Sequence, residues 1–105
     1  MDNVHKIAII GLGQVGNYLY RELNLKQKDI EIKTGKKIEI VAISAKSIDK
    51  IRKYKINKKI FYTDPIKIIK KIKPTILFEA IGLSDGISKK VVETALKNKI
   101  HVITP

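Results

Sequence analysis

The fold of this chain is decided by ten residues near its start: Ile7-Ala8-Ile9-Ile10-Gly11-Leu12-Gly13-Gln14-Val15-Gly16. They join an apolar run, Val4 to Ile10, to a glycine cluster. A short and nearly continuous apolar run suits a strand covered on both faces, because neither face is left for polar side chains. Gly11, Gly13 and Gly16 fit the spacing G-x-G-x-x-G. The spacing alone is weak, since six glycines in 105 residues generate it by chance. Its setting is stronger: it follows a strand and opens a helix near Gly13, with Val15, Leu19 and Leu23 at four-residue intervals and Tyr18 beside them.

Each glycine has a separate physical reason. Gly11 permits the tight turn from strand to helix. Gly13 lacks a side chain, so a diphosphate can approach the main chain. Gly16 lets the helix pack closely on the first strand. A phosphate held there meets free amides at the positive end of the helix dipole. The candidate binding segment is therefore Gly11, Leu12, Gly13, Gln14, Val15 and Gly16. The plainer alternative is a structural turn without a ligand.

Working outward, the helix stops by Thr34-Gly35, with Leu25, Ile30 and Ile32 continuing it irregularly. Ile38–Ser44 reads as a second strand, and Ser47–Tyr54 as a helical turn or two. Ile60–Tyr62 is a brief third strand. Asp64-Pro65 opens a helix, since Asp accepts from orphan amides and Pro suits the first helical position. That helix carries Ile68, Ile69 and Ile72 and ends before Pro74. Thr75–Ile81 is a fourth strand, followed by a loop from Gly82 to Gly86 with Ser84 or Asp85 as helix cap. Ile87, Val91, Val92, Ala95 and Leu96 form one helical face, and His101–Thr104 is a fifth strand. This alternation predicts one α/β domain, a doubly wound parallel sheet of the Rossmann type, with strand order 3-2-1-4-5.

At the end of the second strand stands Ser44-Ala45-Lys46-Ser47. Folds that prefer NAD place Asp or Glu there, to bond the ribose 2′-hydroxyl. Here no carboxylate stands at the tip, and Asp49 lies beyond it. Lys46 would attract a 2′-phosphate, and Ser44 or Ser47 would donate to it. The expected cofactor is NADP, with NAD as the other possibility.

Composition narrows the alternatives. The apolar share is 44%, the charged share 30%, and the formal charge +12. The charge alone suits nucleic acid or an anionic membrane. However, 20 of the 22 basic residues are Lys, and Ile occurs 21 times, a pairing that matches A/T-rich codon usage. Phosphate recognition favours Arg, and six aromatics without Trp offer little for base stacking. Neither nucleic acid nor membrane is expected as a partner. No apolar run approaches the ~20 residues of a membrane span, and the one around Ile76–Ile81 is interrupted by Glu79. The first residues lack a secretory pattern, and there is no Cys, so a cytoplasmic protein without thiolate chemistry is expected.

The strings Ile7–Gly16, Thr34-Gly35 before Ile38–Ile43, Thr75–Gly82, and Asn98-Lys99-Ile100-His101-Val102-Ile103-Thr104-Pro105 together resemble the cofactor-binding part of homoserine dehydrogenase. Phe78-Glu79-Ala80-Ile81-Gly82 and His101–Pro105 are the more specific pieces. The resemblance implies an oxidoreductase interconverting L-homoserine and L-aspartate 4-semialdehyde with NAD(P), on the route to threonine, isoleucine and methionine. It adds Gly82 to the cofactor site. Two departures stand out. Lys46-Ser47 replaces the family's common Arg-Asp, and Leu83 replaces a second glycine after the fourth strand. The family continues with Asn-Lys where this chain stops at Pro105, and its catalytic Lys and Asp lie further on. The 105 residues are therefore expected to bind a dinucleotide without turning over homoserine alone. The same site in a standalone NAD(P)-sensing module is the alternative.

Other residues carry less. His5 and His101 lack partners at metal-ligand spacing, and no metal is expected. His5 reads as a surface residue ahead of the first strand. Glu79 either lines the cofactor cleft or caps a nearby amide. The fifth strand is an exposed apolar edge, which invites self-association.

Overall fold

The computed structural model describes residues 4–46, 49, 53–81 and 86–104. Five strands, β1 (Val4–Ile10), β2 (Lys37–Ser44), β3 (Phe61–Tyr62), β4 (Ile76–Glu79) and β5 (His101–Ile103), form one sheet in the order β3-β2-β1-β4-β5. All four pairings are parallel. This is the expected doubly wound order. β1 is central because its residues are apolar toward both layers: Ile7 and Ile9 face one, Ala8 and Ile10 the other.

Helix α1 (Gln14–Thr34) covers the Ile7/Ile9 face through Leu19, Tyr20 and Leu23. It runs unbroken through Leu25, Ile30 and Ile32 and stops at Gly35, whose φ of 73° is left-handed and whose amide donates to the Glu31 carbonyl at 2.8 Å. Its outer face leaves Tyr18, Leu25 and Ile32 exposed.

The opposite face packs on α2 (Pro65–Lys67), which continues as a π-helical turn over Ile68–Ile72, and on α3 (Gly86–Lys97). Asp64 caps α2 as expected, its Oδ1 accepting from the Ile66 amide at 2.9 Å. In the wider turn the Lys73 amide reaches back to the Ile68 carbonyl, and both Ile68 and Ile69 are buried. Lys53 and Tyr54 are helical, while the rest of the expected turn at Ser47–Tyr54 lies outside the described residues except Asp49. So does the expected cap at Ser84 or Asp85.

Several expectations need correction, among them β5, which ends at Ile103 and not at Thr104. The buried line of α3 is Ser88, Val91 and Ala95, not a face built on Ile87 and Leu96, which are about half exposed. The helix is rolled so that Val91 and Ala95 pack against Ala8, Ile10 and Leu77 of the sheet. β3 begins only at Phe61, because Ile60 completes a 3-10 turn, Lys58–Ile60, capped by Asn57. β4 is shorter than Thr75–Ile81: the Thr75 amide turns to the Lys6 carbonyl at one end, and the Ile81 amide is taken by the Glu79 carboxylate at the other. His5 lies inside β1, half-buried opposite Ile38, rather than ahead of the strand.

Candidate functional site

The carboxyl ends of β1 to β4 open into one cleft of about 350 Å³. Gly11, Leu12, Gly13, Ser44, Ala45 and Lys46 line its β1–β2 side; Thr63 and Pro65 come from the end of β3, Ala80 and Ile81 from β4, and Ile87 from α3. A crevice at this end of an open α/β sheet, where strand order reverses about β1, is where such folds take ligands.

Gly11 has φ 95°, and a Cβ there would stand 2.9 Å from Ile81 Cγ1 and 3.0 Å from the Ile81 amide nitrogen. Glycine is required on both counts. Its amide donates to Ser44 twice over, to the carbonyl at 3.1 Å and to Oγ at 3.3 Å, which ties the glycine turn to the end of β2. Gly13 is the opposite case. Apart from its chain neighbours, no heavy atom of the described residues lies within 4 Å of where its Cβ would be. The main chain at Gly13 therefore faces open space. The first intrahelical bond runs from the Asn17 amide to the Gly13 carbonyl at 2.9 Å, so the amides of Gln14, Val15 and Gly16 lie ahead of the helical ladder. No acidic residue stands in that first turn to offset the dipole. The arrangement fits a diphosphate: open main chain, leading amides and no acidic residue in the first turn of α1.

The structure divides the residues expected from sequence. Gly11, Leu12, Gly13 and Lys46 line the cleft together. The Leu12 side chain is buried in the α1-side core, so its contribution to the cleft is main chain. Gln14 and Val15 are exposed at the head of α1, and Gly16 is buried behind Gly11; none of the three lines the cleft wall. Ser44 is buried and engaged with Gly11 instead of standing free at the tip of β2. Ser47 and Gly82 lie outside the described residues. Besides Ala45 at the end of β2, sequence reasoning missed Thr63, Pro65, Ala80, Ile81 and Ile87. Thr63, Pro65, Ala80 and Ile81 sit at or just beyond the ends of β3 and β4, so strand ends were the available signal. Ile87 gave none, because its apolar spacing looked like core.

Lys46 is exposed and is the one ionisable side chain lining the cleft among the described residues. No group of three or more His, Asp or Glu is placed to hold a metal ion among the described residues. No described helix is long and apolar enough to cross a membrane.

Three comparisons bear on this geometry. The family model described as homoserine dehydrogenase, NAD binding domain, matches residues 11–105. A crystal structure of Staphylococcus aureus homoserine dehydrogenase superposes with a TM-score of 0.85 at 30% identity, over 96% of this chain and 25% of that one. A homoserine dehydrogenase from Thiobacillus denitrificans gives 0.84 at 24% identity, over 96% and 23%. An oxidoreductase from Thermotoga maritima shares the fold at 17% identity with a TM-score of 0.63, over 95% and 29%. The chain thus spans about a quarter of the length of the solved relatives it matches. No curated protein matches it.

Proposed function

The chain belongs to the homoserine dehydrogenase family, as its NAD-binding domain, and on that premise we propose that it holds NADP in preference to NAD across the carboxyl edge of its sheet. The diphosphate lies over Gly13 against the leading amides of α1. The adenosine half extends toward the end of β2, where its 2′-phosphate meets Lys46. The nicotinamide half extends the other way, toward Ala80 and Ile81. The observation that carries this reading is the open main chain at Gly13 beside a cleft whose one described ionisable side chain is a cation. A carboxylate at the tip of β2 would repel the 2′-phosphate; Lys46 attracts it.

When bound, the cofactor supplies hydride transfer, and the reaction we assign to the full-length relatives' pattern is the reversible oxidation of L-homoserine to L-aspartate 4-semialdehyde. That chemistry also needs a group to take the hydroxyl proton and a pocket for the amino acid. The described cleft offers neither a carboxylate nor an imidazole. The described residues accordingly contribute cofactor binding, and the proton acceptor and the amino-acid pocket come from other groups. Two copies also associate through β5, which pairs with β4 on one side only and leaves Ile103 46% exposed.

The test is a titration of labelled chain with NADPH and NADH. Shifts of the Gly11–Gly16 amide resonances, saturating at lower NADPH than NADH, are expected. Unmoved resonances with both cofactors would overturn the reading.

A further inference from the structure

The last residue of β4 is a carboxylate in an apolar place. Glu79 follows Ile76, Leu77 and Phe78, precedes Ala80 and Ile81, and is 1% exposed. Burying a carboxylate costs several kcal/mol unless its lone pairs are engaged. If the position served packing alone, an apolar side chain would do better.

One contact of the carboxylate is local and directional. Its Oε1 accepts from the amide of Ile81 at 2.6 Å, the short distance of a charge-assisted bond. One residue earlier, the Ala80 amide still belongs to the sheet and donates to the Ile10 carbonyl at 2.8 Å. Glu79 therefore takes over where the ladder ends, and bends the chain after Ala80 around its own side chain. The residue it holds is the one that abuts the glycine turn: the Ile81 amide nitrogen and Cγ1 are among the three atoms nearest the missing Cβ of Gly11. Ala80 and Ile81 line the cleft, whereas Glu79 does not.

We propose that Glu79 is a positioning residue for the nicotinamide half of the cofactor: its carboxylate pins Ile81 against Gly11 and so sets the β4 wall of the cleft. The proposal rests on the dinucleotide reading above. It assigns the two halves of the ligand to separate supports, with Lys46 and the head of α1 on one side and the Glu79-held wall on the other. Loss of the carboxylate contact then weakens whatever touches the wall and spares what does not.

ADP is the probe for the far side, since it carries the diphosphate and adenosine without nicotinamide. In the 105-residue chain, Glu79→Gln keeps an oxygen acceptor of the same reach, so its NADPH affinity stays within about 2-fold of the unaltered chain. Glu79→Met has similar bulk and no acceptor for the amide; its NADPH dissociation constant rises about 10-fold or more, while that for ADP moves less than about 2-fold. Should Glu79→Met fail to fold, Glu79→Asp, one methylene shorter, is expected to show the same split. Equal losses for NADPH and ADP in the acceptor-less variant, or no loss in either, overturn the proposal. So does a Glu79→Gln variant as weak as Glu79→Met. If the unaltered chain binds neither NADPH nor ADP, the dinucleotide reading itself falls, and that failure is visible before any variant is made.

Discussion

Gly16 stands directly behind Gly11: a β-carbon on Gly16 would overlap the Gly11 carbonyl oxygen and press on its carbonyl carbon. Both atoms are backbone, which cannot swing aside as a flexible side chain would. Gly16→Ala must therefore push α1 off β1 or distort the turn. We expect a loss of about 2–4 kcal/mol, the scale of overpacked cores and strained turns. Thermal denaturation followed by circular dichroism measures it; an unchanged melting temperature would contradict the packing.

Gly13→Ala separates binding from folding. The added methyl enters empty space, and the backbone at φ −128°, ψ −149° is open to residues other than glycine. Stability is expected to stay within about 0.5 kcal/mol, as at a permissive surface site. The methyl occupies the space assigned to the diphosphate, so NADPH affinity falls about 10-fold or more. Isothermal titration beside a thermal melt reads both, and a binding loss without a melting change is the expected signature.

Lys46 is exposed, so the attraction proposed for a 2′-phosphate is partly screened by water. Lys46→Ala should weaken NADPH by about 3- to 10-fold, roughly 1 kcal/mol, and NADH by less than about 2-fold. The NADPH loss shrinks as salt rises. Parallel titrations at two ionic strengths check both statements, and equal losses for the two cofactors would remove Lys46 from the 2′-phosphate site.

The end of α3 is built around a lysine where glycine is usual. Lys99 has φ 59°, its amide donates to the Leu96 carbonyl, and the Ile100 amide reaches the Ala95 carbonyl at 3.0 Å. This is the Schellman pattern, with buried Ile100 as its apolar contact. A left-handed residue with a β-carbon costs about 1–2 kcal/mol, and glycine's extra freedom when unfolded returns part of that. Lys99→Gly is expected to gain about 0.5–1 kcal/mol, seen as a rise of a few degrees in melting temperature.

If copies pair through β5 as proposed, the apparent mass is expected to rise with concentration in sedimentation. Ile103→Lys places a charge on the exposed edge and should shift the chain toward monomer without altering cofactor affinity. A concentration-independent monomer for the unaltered chain would remove this interface.

Much of the fold was legible because its signals are local. The run into Gly11 announced a strand covered on both sides, and Asp64-Pro65 announced a helix start whose cap the structure reproduces. Strand ends were less legible. β4 ends because the Glu79 side chain claims the Ile81 amide, two residues on, and no periodicity encodes that. The roll of α3 was hidden for a related reason: Ser88 and Ala95 face the sheet because they are small, whereas a hydrophobicity pattern favours Ile87 and Leu96. In the cleft, the glycine turn carried a motif. Thr63, Pro65, Ala80 and Ile81 arrived through topology, which brings strand ends together from distant parts of the chain.

Between Ile7 and Ala8 the β1–β2 register slips, pairing Ile7 with Ile40 but Ala8 with Ala42. Val41 has no opposite number, and it points to the same layer as Ala42. β2 is therefore one residue longer than the ladder it fills. Excising Val41 would leave Ile40, Ala42, Ile43 and Ser44 in unbroken alternation, with the serine still turned toward the Gly11 amide. Excising Ile43 instead would invert everything beyond it and carry that hydroxyl to the α1 side. A strand at the heart of a sheet ordinarily tolerates no change in length; this one holds a single spare codon.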